Sequence, residues 1–216
     1  MKVPITVLMS VYNDKNYIKE SILSVLNQTY KNFEFIIIND GSTDCSLEII
    51  NQLALSDSRI KIINKSNSGL YKSLNLGIEL ARGEWISIID SDDIYEPNKL
   101  ESQYSFSQLN KSINLIGSNF TTINGKGKKL KTYEIPTNQL ILKDNLSKKK
   151  PSFFPHSSFF YKKELAMTNK YRPEIFEKGS GDYDFSLRFS EIGDLACIGL
   201  SLVRIRRHNQ QMSVLK

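Results

Sequence analysis

The chain has 216 residues, of which 40% are hydrophobic and 24% are charged, with 11 Gly and 6 Pro. This composition is typical of a globular protein with a sizeable core, and it excludes a disordered, collagenous or low-complexity chain. The 29 basic and 23 acidic side chains leave a formal net charge of +6, which favours anionic partners such as phosphorylated ligands, nucleic acid or an acidic membrane surface.

The first hundred residues alternate between short apolar runs and amphipathic segments. Continuous apolar runs of strand length are typical of parallel strands that are covered on both faces, and the segments between them repeat apolar residues at helical spacing. Four such alternations predict a parallel sheet with right-handed crossovers and helices on both of its faces. The predicted strands are Ile5–Val11, Phe33–Ile38, Ile60–Ile63 and Trp85–Ile89.

After Asp93 the pattern becomes less regular. Pro97 suits the first turn of a helix that reaches about Asn110, and Asn124-Gly125 predicts a hairpin turn. No repeat, low-complexity tract or linker appears, so we predict one domain over residues 1–216, with unequal halves at 1–100 and 101–216. The other predicted elements are a strand at Ile113–Ser118, a weak helix at Thr137–Leu146, a strand at His156–Tyr161, a helix at Asp182–Ile192 and short strands at Leu195–Gly199 and Leu202–Arg206.

The cysteines and the apolar runs indicate the cellular setting. Cys45 and Cys197 are too few for a disulfide framework or a Cys-x-x-Cys metal site, which favours a reducing compartment. The run from Val3 to Val11 is interrupted by Pro4 and followed by polar residues, so we interpret it as a buried strand rather than a signal peptide. No run reaches the roughly 20 apolar residues that cross a bilayer. We therefore expect a cytoplasmic protein, with any membrane contact being peripheral and on the inner face of the cell membrane.

The lysines are partly concentrated in two runs, at residues 126–131 and 148–150. The ordinary interpretation of such runs is a solvated loop. They form no regular basic stripe with interleaved aromatic residues, and the chain carries none of the spaced Cys/His or basic-zipper signatures of nucleic-acid-binding proteins. The sequence therefore predicts no nucleic-acid partner.

Acidic residues follow two of the predicted strands. Asp90, Asp92 and Asp93 come directly after the fourth strand, and Asp40 follows the second. Ligands of open α/β sheets bind beyond the carboxyl ends of the strands, and three carboxylates within four residues repel one another unless a cation offsets them. Oxygen ligands favour Mg²⁺ or Mn²⁺, which bind a substrate diphosphate through its oxygens. The alternative is that Asp92 and Asp93 only cap the following helix.

Ordered motifs cover nearly the whole chain. Four lie in the first hundred residues: V-L-M-S-V-Y-N, I-I-I-N-D-G-S-T-D, an N-x-G followed by N-x-G-I-E-L-A-R-G-E, and I-I-D-S-D-D. The second half adds H-S-S-F-F-Y-K-K-E-L, G-D-Y-D-F-S-L-R and R-R-H-N-Q-Q-M-S. In this order the motifs resemble those of family 2 inverting glycosyltransferases. The resemblance implies a GT-A fold, a Rossmann-like three-layer α/β/α sandwich with a mostly parallel central sheet. It also implies a UDP-sugar or dTDP-sugar donor, Mn²⁺ or Mg²⁺, and inversion in a single displacement.

The resemblance also assigns roles to residues of the first half. Asp40 would accept a hydrogen bond from the pyrimidine ring, and Asp90 would contact the ribose side of the donor. Asp92 would hold the metal that bridges the two phosphates, where the cation offsets charge on the departing diphosphate. Tyr12 would lie against the base, although a packed aromatic at the rim is an equally good interpretation of that residue. Further donor contacts are expected from Ser10, Asn67 and Ser91.

An inverting displacement also needs a base that takes the proton of the acceptor hydroxyl. The family usually places this base in a Glu-Asp pair at the start of a helix, and Asp182 matches the second position. Gly181 stands where the Glu is usual, which puts in doubt what the first acid contributes to acceptor binding. Asp184 is the second candidate for the base, and Asp182 could instead be a helix N-cap.

The two histidines have different expected roles. His208 resembles the position from which some family members close over the diphosphate or complete the metal shell, and a structural role is the alternative. His156 is expected to orient the acceptor side or to pack, and not to be catalytic. Arg206 and Arg207 could pair with phosphates, but strand alternation allows only one of them to face the cleft.

The expected activity is therefore transfer of a sugar from a nucleotide-sugar donor to a hydroxyl of a glycan or lipid-linked glycan, in the synthesis of a bacterial surface polysaccharide such as capsule, O-antigen or lipopolysaccharide. One alternative is a sugar-nucleotide-forming nucleotidyltransferase, which shares the layout and the metal. That class would need a Gly-rich phosphate loop after the first strand, and residues 10–15 contain no glycine. The other alternative is an inactive homologue that binds the donor.

Overall fold

A computed structural model describes residues 3–148, 154–178 and 181–209 of the chain. Lys149, Lys150 and the last residues of the C-terminal motif, 210–213, lie outside that range. In chain order the first half contains β1 (Ile5–Val11), α1 (Ile18–Leu26), β2 (Phe33–Asp40), α2 (Ser46–Ala54), β3 (Ile60–Lys65), α3 (Leu70–Leu80), β4 (Trp85–Ile88) and β5 (Ile94–Tyr95). The second half contains α4 (Lys99–Leu109), β6 (Ile113–Asn124), β7 (Lys129–Tyr133), α5 (Gln139–Ser147), β8 (Phe160–Lys162), α6 (Lys163–Thr168), α7 (Gly181–Ile192) and β9 (Asp194–Arg207).

One sheet runs through both halves of the described chain. Its order is β3-β2-β1-β4-β8-β6-β9-β5, with β7 paired to β6. Strands β1 to β4 are parallel, as predicted. The chain passes outward from β1 to β3 and then returns to the other side of β1, so the order reverses between β1 and β4. Crevices at such reversal points are where open α/β sheets bind their ligands.

The second half makes the sheet mixed rather than simply parallel. Strand β8 is antiparallel to both β4 and β6, while β9 runs parallel to β6. Strands β5 and β7 are antiparallel to their partners at the edges. Six of the nine strands among the described residues therefore point the same way, as predicted for a mostly parallel sheet. The other three, β5, β7 and β8, pair with their neighbours in antiparallel fashion.

Helices cover both faces of the sheet, which confirms the three-layer arrangement. One core lies between the sheet and α3, α5, α6 and α7, and includes Leu8, Leu74 and Phe185. The other lies between the sheet and α1, α2 and α4, and includes Val7 and Ile22. Neighbouring strand residues such as Val7 and Leu8 enter opposite cores because successive side chains of a strand point to opposite faces.

Three predicted elements of the second half differ in the structure. The two short strands after residue 194 form the single strand β9, which changes register against β6 beside Ser118 and Asn119. His156 begins a short 3-10 helix (His156–Ser158), and the predicted strand is confined to β8. Helix α6 follows β8 directly and was not predicted. These segments are short, so their conformation depends on pairing and packing more than on local periodicity.

Candidate active site

The loop after β1 is tied to the loop after β2. Asn13 adopts a left-handed φ of 53°, and its side-chain oxygen accepts hydrogen bonds from the backbone N–H groups of Thr43 and Asp44. The N–H of Asp14 donates to Ser46 Oγ at 2.8 Å. These bonds hold two loops at the carboxyl edge of the sheet, where Tyr12 is 53% exposed to solvent. Ser10 is half-buried near the end of β1.

Asp40 ends β2 and organises the loop before α3. Its buried carboxylate accepts hydrogen bonds from the N–H groups of Ser68 and Gly69, at 3.0 and 2.8 Å, and from the ammonium of Lys65. Burial by itself raises the pKa of Asp40, but these three donors outweigh it and hold the pKa below its ordinary value. Asp40 is therefore a fixed anion, with Lys65 as a partner that the sequence analysis missed.

Two glycines are required where the loop after β2 meets the loop before α3. Gly69 has a φ of 94°, which side chains rarely allow, and it directly precedes α3. Gly41 has a φ of 74°, and a Cβ there would lie 2.7 Å from the backbone nitrogen of Asn67. The close approach of these backbones brings Asn67 next to Gly41, the residue that follows Asp40.

Asp90 begins a hydrogen-bonded chain that leads toward α7. Asp90 Oδ1 lies 2.9 Å from His156 Nδ1, and His156 Nε2 lies 2.9 Å from the hydroxyl of Tyr171. Burial lowers the pKa of His156, but the charge of Asp90 outweighs it and raises that pKa. The ring of Tyr171 stacks on Phe185 of α7 at a centroid distance of 4.2 Å. His156 thus orients Asp90 and connects the two halves of the chain. The sequence predicted only that His156 packs or orients the acceptor side.

Asp92 meets His208, the residue that follows β9. His208 Nε2 lies 2.9 Å from Asp92 Oδ2, and the imidazole packs on the ring of Tyr17 at a centroid distance of 4.5 Å. Both side chains remain partly accessible to solvent. One carboxylate and one imidazole, the two residues predicted to be metal ligands, therefore lie side by side at the carboxyl edge. Among the described residues, no group of three His, Cys, Asp or Glu side chains converges closely enough to hold a metal by itself.

Negative charge accumulates around this pair. The carboxylate of Asp14 accepts a hydrogen bond from Ser91 Oγ at 2.6 Å. Burial, together with the charge of Asp92, raises the pKa of Asp14 to about 6 despite that hydrogen bond. Ser91 thus binds Asp14, whose carboxylate lies close enough to Asp92 and His208 to feel their charges.

Asp93 has a structural position. Its carboxylate is 2% exposed and accepts hydrogen bonds from Ser157 Oγ and from the N–H of Arg206, at 2.5 and 2.9 Å. Burial and the charges of Asp92 and Asp90 raise its pKa well above the ordinary value. The alternative that Asp92 and Asp93 cap the following helix is wrong, because α4 starts only at Lys99.

The two arginines at the end of β9 have different surroundings. Arg206 is 1% exposed; its guanidinium donates to Glu20 at 2.6 Å and to the carbonyl of Asp92 at 2.8 Å, and lies over the ring of Tyr17. Arg206 therefore holds β9 against α1 and the loop after β4. Arg207 is exposed and lines an open cleft with His208. Of the two, Arg207 is the one placed to meet a phosphate.

Helix α7 brings Asp182 toward the Asp90 chain. Asp182 lies in the first turn of α7, and its negative charge contributes, after burial, to raising the pKa of Tyr71 to about 12. Asp184 instead pairs with Arg172 at 2.7 Å and with Arg188 at 2.8 Å. Both oxygens of the Asp184 carboxylate are bound by guanidinium groups, so the geometry favours Asp182 over Asp184 as the group that meets an acceptor hydroxyl.

Gly181 is enclosed by Tyr71. The N–H of Gly181 donates to the Tyr71 hydroxyl at 2.9 Å, and a Cβ at position 181 would lie 2.1 Å from Cζ of that ring. A glutamate at 181 would require Tyr71 to move. The sequence shows that position 181 lacks the usual acid, but it does not indicate that Tyr71 occupies the space beside Gly181.

The chain is similar to known glycosyltransferases over most of its length. The model of the family "Glycosyl transferase family 2" matches residues 6–168. An uncharacterized glycosyltransferase of Haemophilus influenzae is 35% identical over an alignment that covers 97% of this chain and 67% of the relative. Glycosyltransferase GlyG of Streptococcus pneumoniae is 38% identical over 53% of this chain and 38% of that protein.

Solved structures of glycosyltransferases share the fold. Staphylococcus aureus TarS 1–349, in complex with UDP-GlcNAc, has a TM-score of 0.80 at 19% identity, over 96% of this chain and 60% of that one. The mannosyltransferase PcManGT of Pyrobaculum calidifontis, in complex with GDP-Man and Mn²⁺, has a TM-score of 0.70 at 15% identity, over 97% of this chain and 58% of that one. The chain thus spans about three fifths of each of these structures. It belongs to glycosyl transferase family 2 and has the GT-A fold.

Proposed function

We propose that this glycosyltransferase moves a sugar, with inversion, from a UDP-sugar to an acceptor hydroxyl in the synthesis of a bacterial surface polysaccharide. The observation that carries this proposal is the convergence of Asp40, Asp90, the Asp92–His208 pair and Asp182 at the carboxyl edge of one sheet. The similarity to TarS, which was solved with UDP-GlcNAc and with UDP, supports UDP over dTDP.

The donor would lie across the reversal point between β1 and β4. The fixed anion of Asp40 would accept the N–H of the pyrimidine, with exposed Tyr12 against the base and Asn67 beside it. Ser10 is close to the same edge, and Asp90, oriented by His156, would face the ribose. Residues 1–100 would thus form the donor half, and residues 101–216 would contribute the acceptor side.

Asp92 and His208 would hold Mn²⁺ or Mg²⁺, with water and the donor diphosphate supplying the remaining ligands. Carboxylate and phosphate oxygens suit both ions, whereas imidazole is the more usual ligand of transition metals, so the mixed pair favours Mn²⁺. The ion, when bound, offsets negative charge that builds up on the departing diphosphate. The nearby charge of Asp14 supports a cation at this place.

Asp182 would act as the base. Its carboxylate takes the proton of the acceptor hydroxyl while the hydroxyl oxygen bonds to the anomeric carbon. The bond from that carbon to the diphosphate oxygen breaks in the same step, the electron pair leaves with UDP, and the configuration inverts. Asp182 is half-buried in the first turn of α7, whereas the competing Asp184 is bound by two arginines.

The acceptor is proposed to be a glycan or a lipid-linked glycan, and the protein is proposed to act in the cytoplasm at the inner face of the membrane. None of the helices in the part of the chain that the structure describes is long and apolar enough to cross a membrane. The +6 net charge supports contact with anionic lipid.

Two measurements test the proposed function. First, a panel of nucleotide sugars with simple acceptors is assayed for release of the nucleoside diphosphate; we expect turnover of a UDP-sugar that stops when EDTA removes the metal. Second, Asp182→Asn should lower transfer by two to four orders of magnitude, about the usual contribution of a general base, while UDP still raises the melting temperature in the presence of Mn²⁺.

The control variant is Glu79→Gln, which removes an exposed ion pair with Lys170. Its transfer rate should stay close to that of the wild type. Transfer that persists in Asp182→Asn would show that another group is the base. Pyrophosphate release from a nucleoside triphosphate and a sugar phosphate would instead indicate the nucleotidyltransferase.

A further inference from the structure

The net positive charge of the protein comes from one segment. Residues 126–150 contain eight lysines against Glu134 and Asp144, which gives +6, the same as the net charge of the whole chain. The remainder of the protein is therefore electrically balanced. The segment contains β7, the connection 134–138 and α5.

The same segment exposes apolar side chains. All five side chains of the edge strand β7 are exposed, including Leu130 at 56% and Tyr133 at 38%. Helix α5 buries Leu142 and Leu146 against the core but leaves Leu140 78% exposed. Lysines interspersed with exposed leucine and tyrosine are the composition of surfaces that lie in the headgroup region of a bilayer.

The segment also begins beside the candidate active site. Its hairpin follows Gly125, whose carbonyl accepts a hydrogen bond from Arg206 and whose Cα faces Tyr17 and His208. A membrane bound at this surface would therefore lie next to the cleft that His208 and Arg207 line. An acceptor anchored in that membrane could reach the cleft without leaving the lipid.

We propose that residues 126–148 form a surface that docks on an anionic phospholipid bilayer, with the lysines at the headgroups and Leu130, Tyr133 and Leu140 among them. This proposal rests on the proposed transfer to a membrane-associated acceptor, and it names the surface used. Charge complementarity favours acidic lipid over a neutral protein partner.

Vesicle co-sedimentation tests the proposal. The full chain is mixed with vesicles of phosphatidylcholine alone, or of phosphatidylcholine with about one third phosphatidylglycerol. We expect binding only to the anionic vesicles, weakened by salt. The variant Lys128→Gln/Lys129→Gln/Lys131→Gln should bind about a hundredfold more weakly, because each lysine near the surface contributes separately. The matched control Lys19→Gln/Lys31→Gln/Lys111→Gln removes the same charge from exposed positions elsewhere and should bind nearly as the wild type does.

Turnover of a UDP-sugar with a soluble acceptor should be equal in both triple variants, which separates failure of the surface from failure of the proposed function. Equal loss of binding in the two variants would overturn the proposal, as would equal binding to neutral vesicles. If short duplex DNA displaces the protein from anionic vesicles at lower concentrations than added anionic lipid does, the partner is nucleic acid instead. Concentration-dependent dimerisation that the first triple variant abolishes would identify a second copy of the chain.

A second inference comes from the contact between Tyr71 and Gly181. The first N–H groups of a helix have no hydrogen-bond partner within the helix. Here the N–H of Gly181 donates a hydrogen bond to the Tyr71 hydroxyl. Tyr71 also stacks on Tyr171 at a centroid distance of 5.5 Å, so it is held between the Asp90 chain and α7. Burial first, and then the charge of Asp182, raise the pKa of Tyr71 to about 12, so its hydroxyl stays neutral.

We infer that Tyr71 is a positioning residue for Asp182, acting through the first turn of α7 and filling the space of the acidic side chain usual at position 181. This inference rests on Asp182 as the base. Tyr71→Phe keeps the ring and removes the hydroxyl that accepts the Gly181 N–H. We expect kcat to fall about tenfold with the KM for the donor unchanged, while the control Tyr104→Phe alters neither.

Rescue distinguishes this role from a purely structural one. Gly181→Ala should inactivate the enzyme because its Cβ overlaps the Tyr71 ring, and Gly181→Ala/Tyr71→Ala should recover part of the lost kcat. Wild-type activity of Gly181→Ala, or additive losses in the double variant, would overturn the inference. If Asp182→Asn retains transfer while the rescue still occurs, the contact is real but the proposed base is wrong.

Discussion

The Asp40 site and the Asp92 site lie at the same edge of the sheet but balance their charge in opposite ways. Asp40 receives an ammonium and two backbone amides from its own neighbourhood, and its pKa is held below the ordinary value. Around Asp92 the carboxyls are poorly compensated: the pKa of Asp14 is raised to about 6 and that of Asp93 is raised well above the ordinary value.

This difference matches the roles proposed for the two sites, donor recognition at Asp40 and ion binding at Asp92. A compensated, fixed carboxylate such as Asp40 is suited to accepting one more hydrogen bond from a neutral group, with little reorganisation. An excess of negative charge, as around Asp92, is suited to a cation that completes the balance. The two sites should therefore respond differently to mutation, pH and metal.

The largest effect is expected at the Asp92–His208 pair. Asp92→Asn should lower the transfer rate about a thousandfold, since it removes a charged ligand of the proposed ion, and such ions stabilise transition states by several kcal/mol. His208→Ala should lose less and should recover part of its rate at higher Mn²⁺ concentration. Initial rates over a Mn²⁺ titration provide the measurement. An unchanged Mn²⁺ dependence in both variants would show that the ion binds elsewhere.

A smaller effect, of a different kind, is expected at Lys65. Lys65→Met removes the ammonium that bonds to Asp40 but keeps the length of the side chain. We expect the KM for the donor to rise about tenfold, because the Asp40 carboxylate loses one of the donors that fix its orientation, with no change in the Mn²⁺ dependence. The same rate assay, run over donor concentration, measures it. A shift of the Mn²⁺ dependence in this variant would contradict the separation of the two sites.

Asp14 makes stability depend on pH in a defined direction. Its folded pKa of about 6 lies above the unfolded value of 3.8, so the folded state binds the proton more tightly. Its contribution to the free energy of unfolding is present below pH 4 and is lost as pH rises toward 6. We therefore expect Asp14→Asn to melt higher than the wild type at pH 7 and at nearly the same temperature at pH 4. Thermal melts at the two pH values measure this, and Mn²⁺ should narrow the difference at pH 7.

The smallest effect on activity is expected at Asp184. Asp184→Asn breaks partly exposed ion pairs with Arg172 and Arg188 and should cost roughly 1 kcal/mol of stability. Transfer should stay within about threefold of the wild type, because ion-paired Asp184 does not act as the base. Chemical denaturation measures the change in the free energy of unfolding, and the transfer assay measures the rate. A loss as large as that of Asp182→Asn would reverse the assignment of the base.

Much of the first half could be predicted because its information is local. Strand β1 has the predicted bounds, and β2 and β3 extend theirs by two residues each, since buried apolar runs and the turns after them lie within short stretches of sequence. The acidic residues at the strand ends were predicted for the same reason. Helix α6 and the continuous path of β9 were not predicted, because they depend on pairing with distant segments.

By itself, then, the sequence determined the layered α/β fold, the family and the set of carboxylates at the sheet edge, all of which follow from local periodicity and contiguous motifs. Only the tertiary structure decided which partner each carboxylate has. His208 lies 116 positions from Asp92, and Tyr71 lies 110 positions from Gly181. Such contacts arise from the strand order and from the packing of α7 on α3, and no spacing along the chain encodes them.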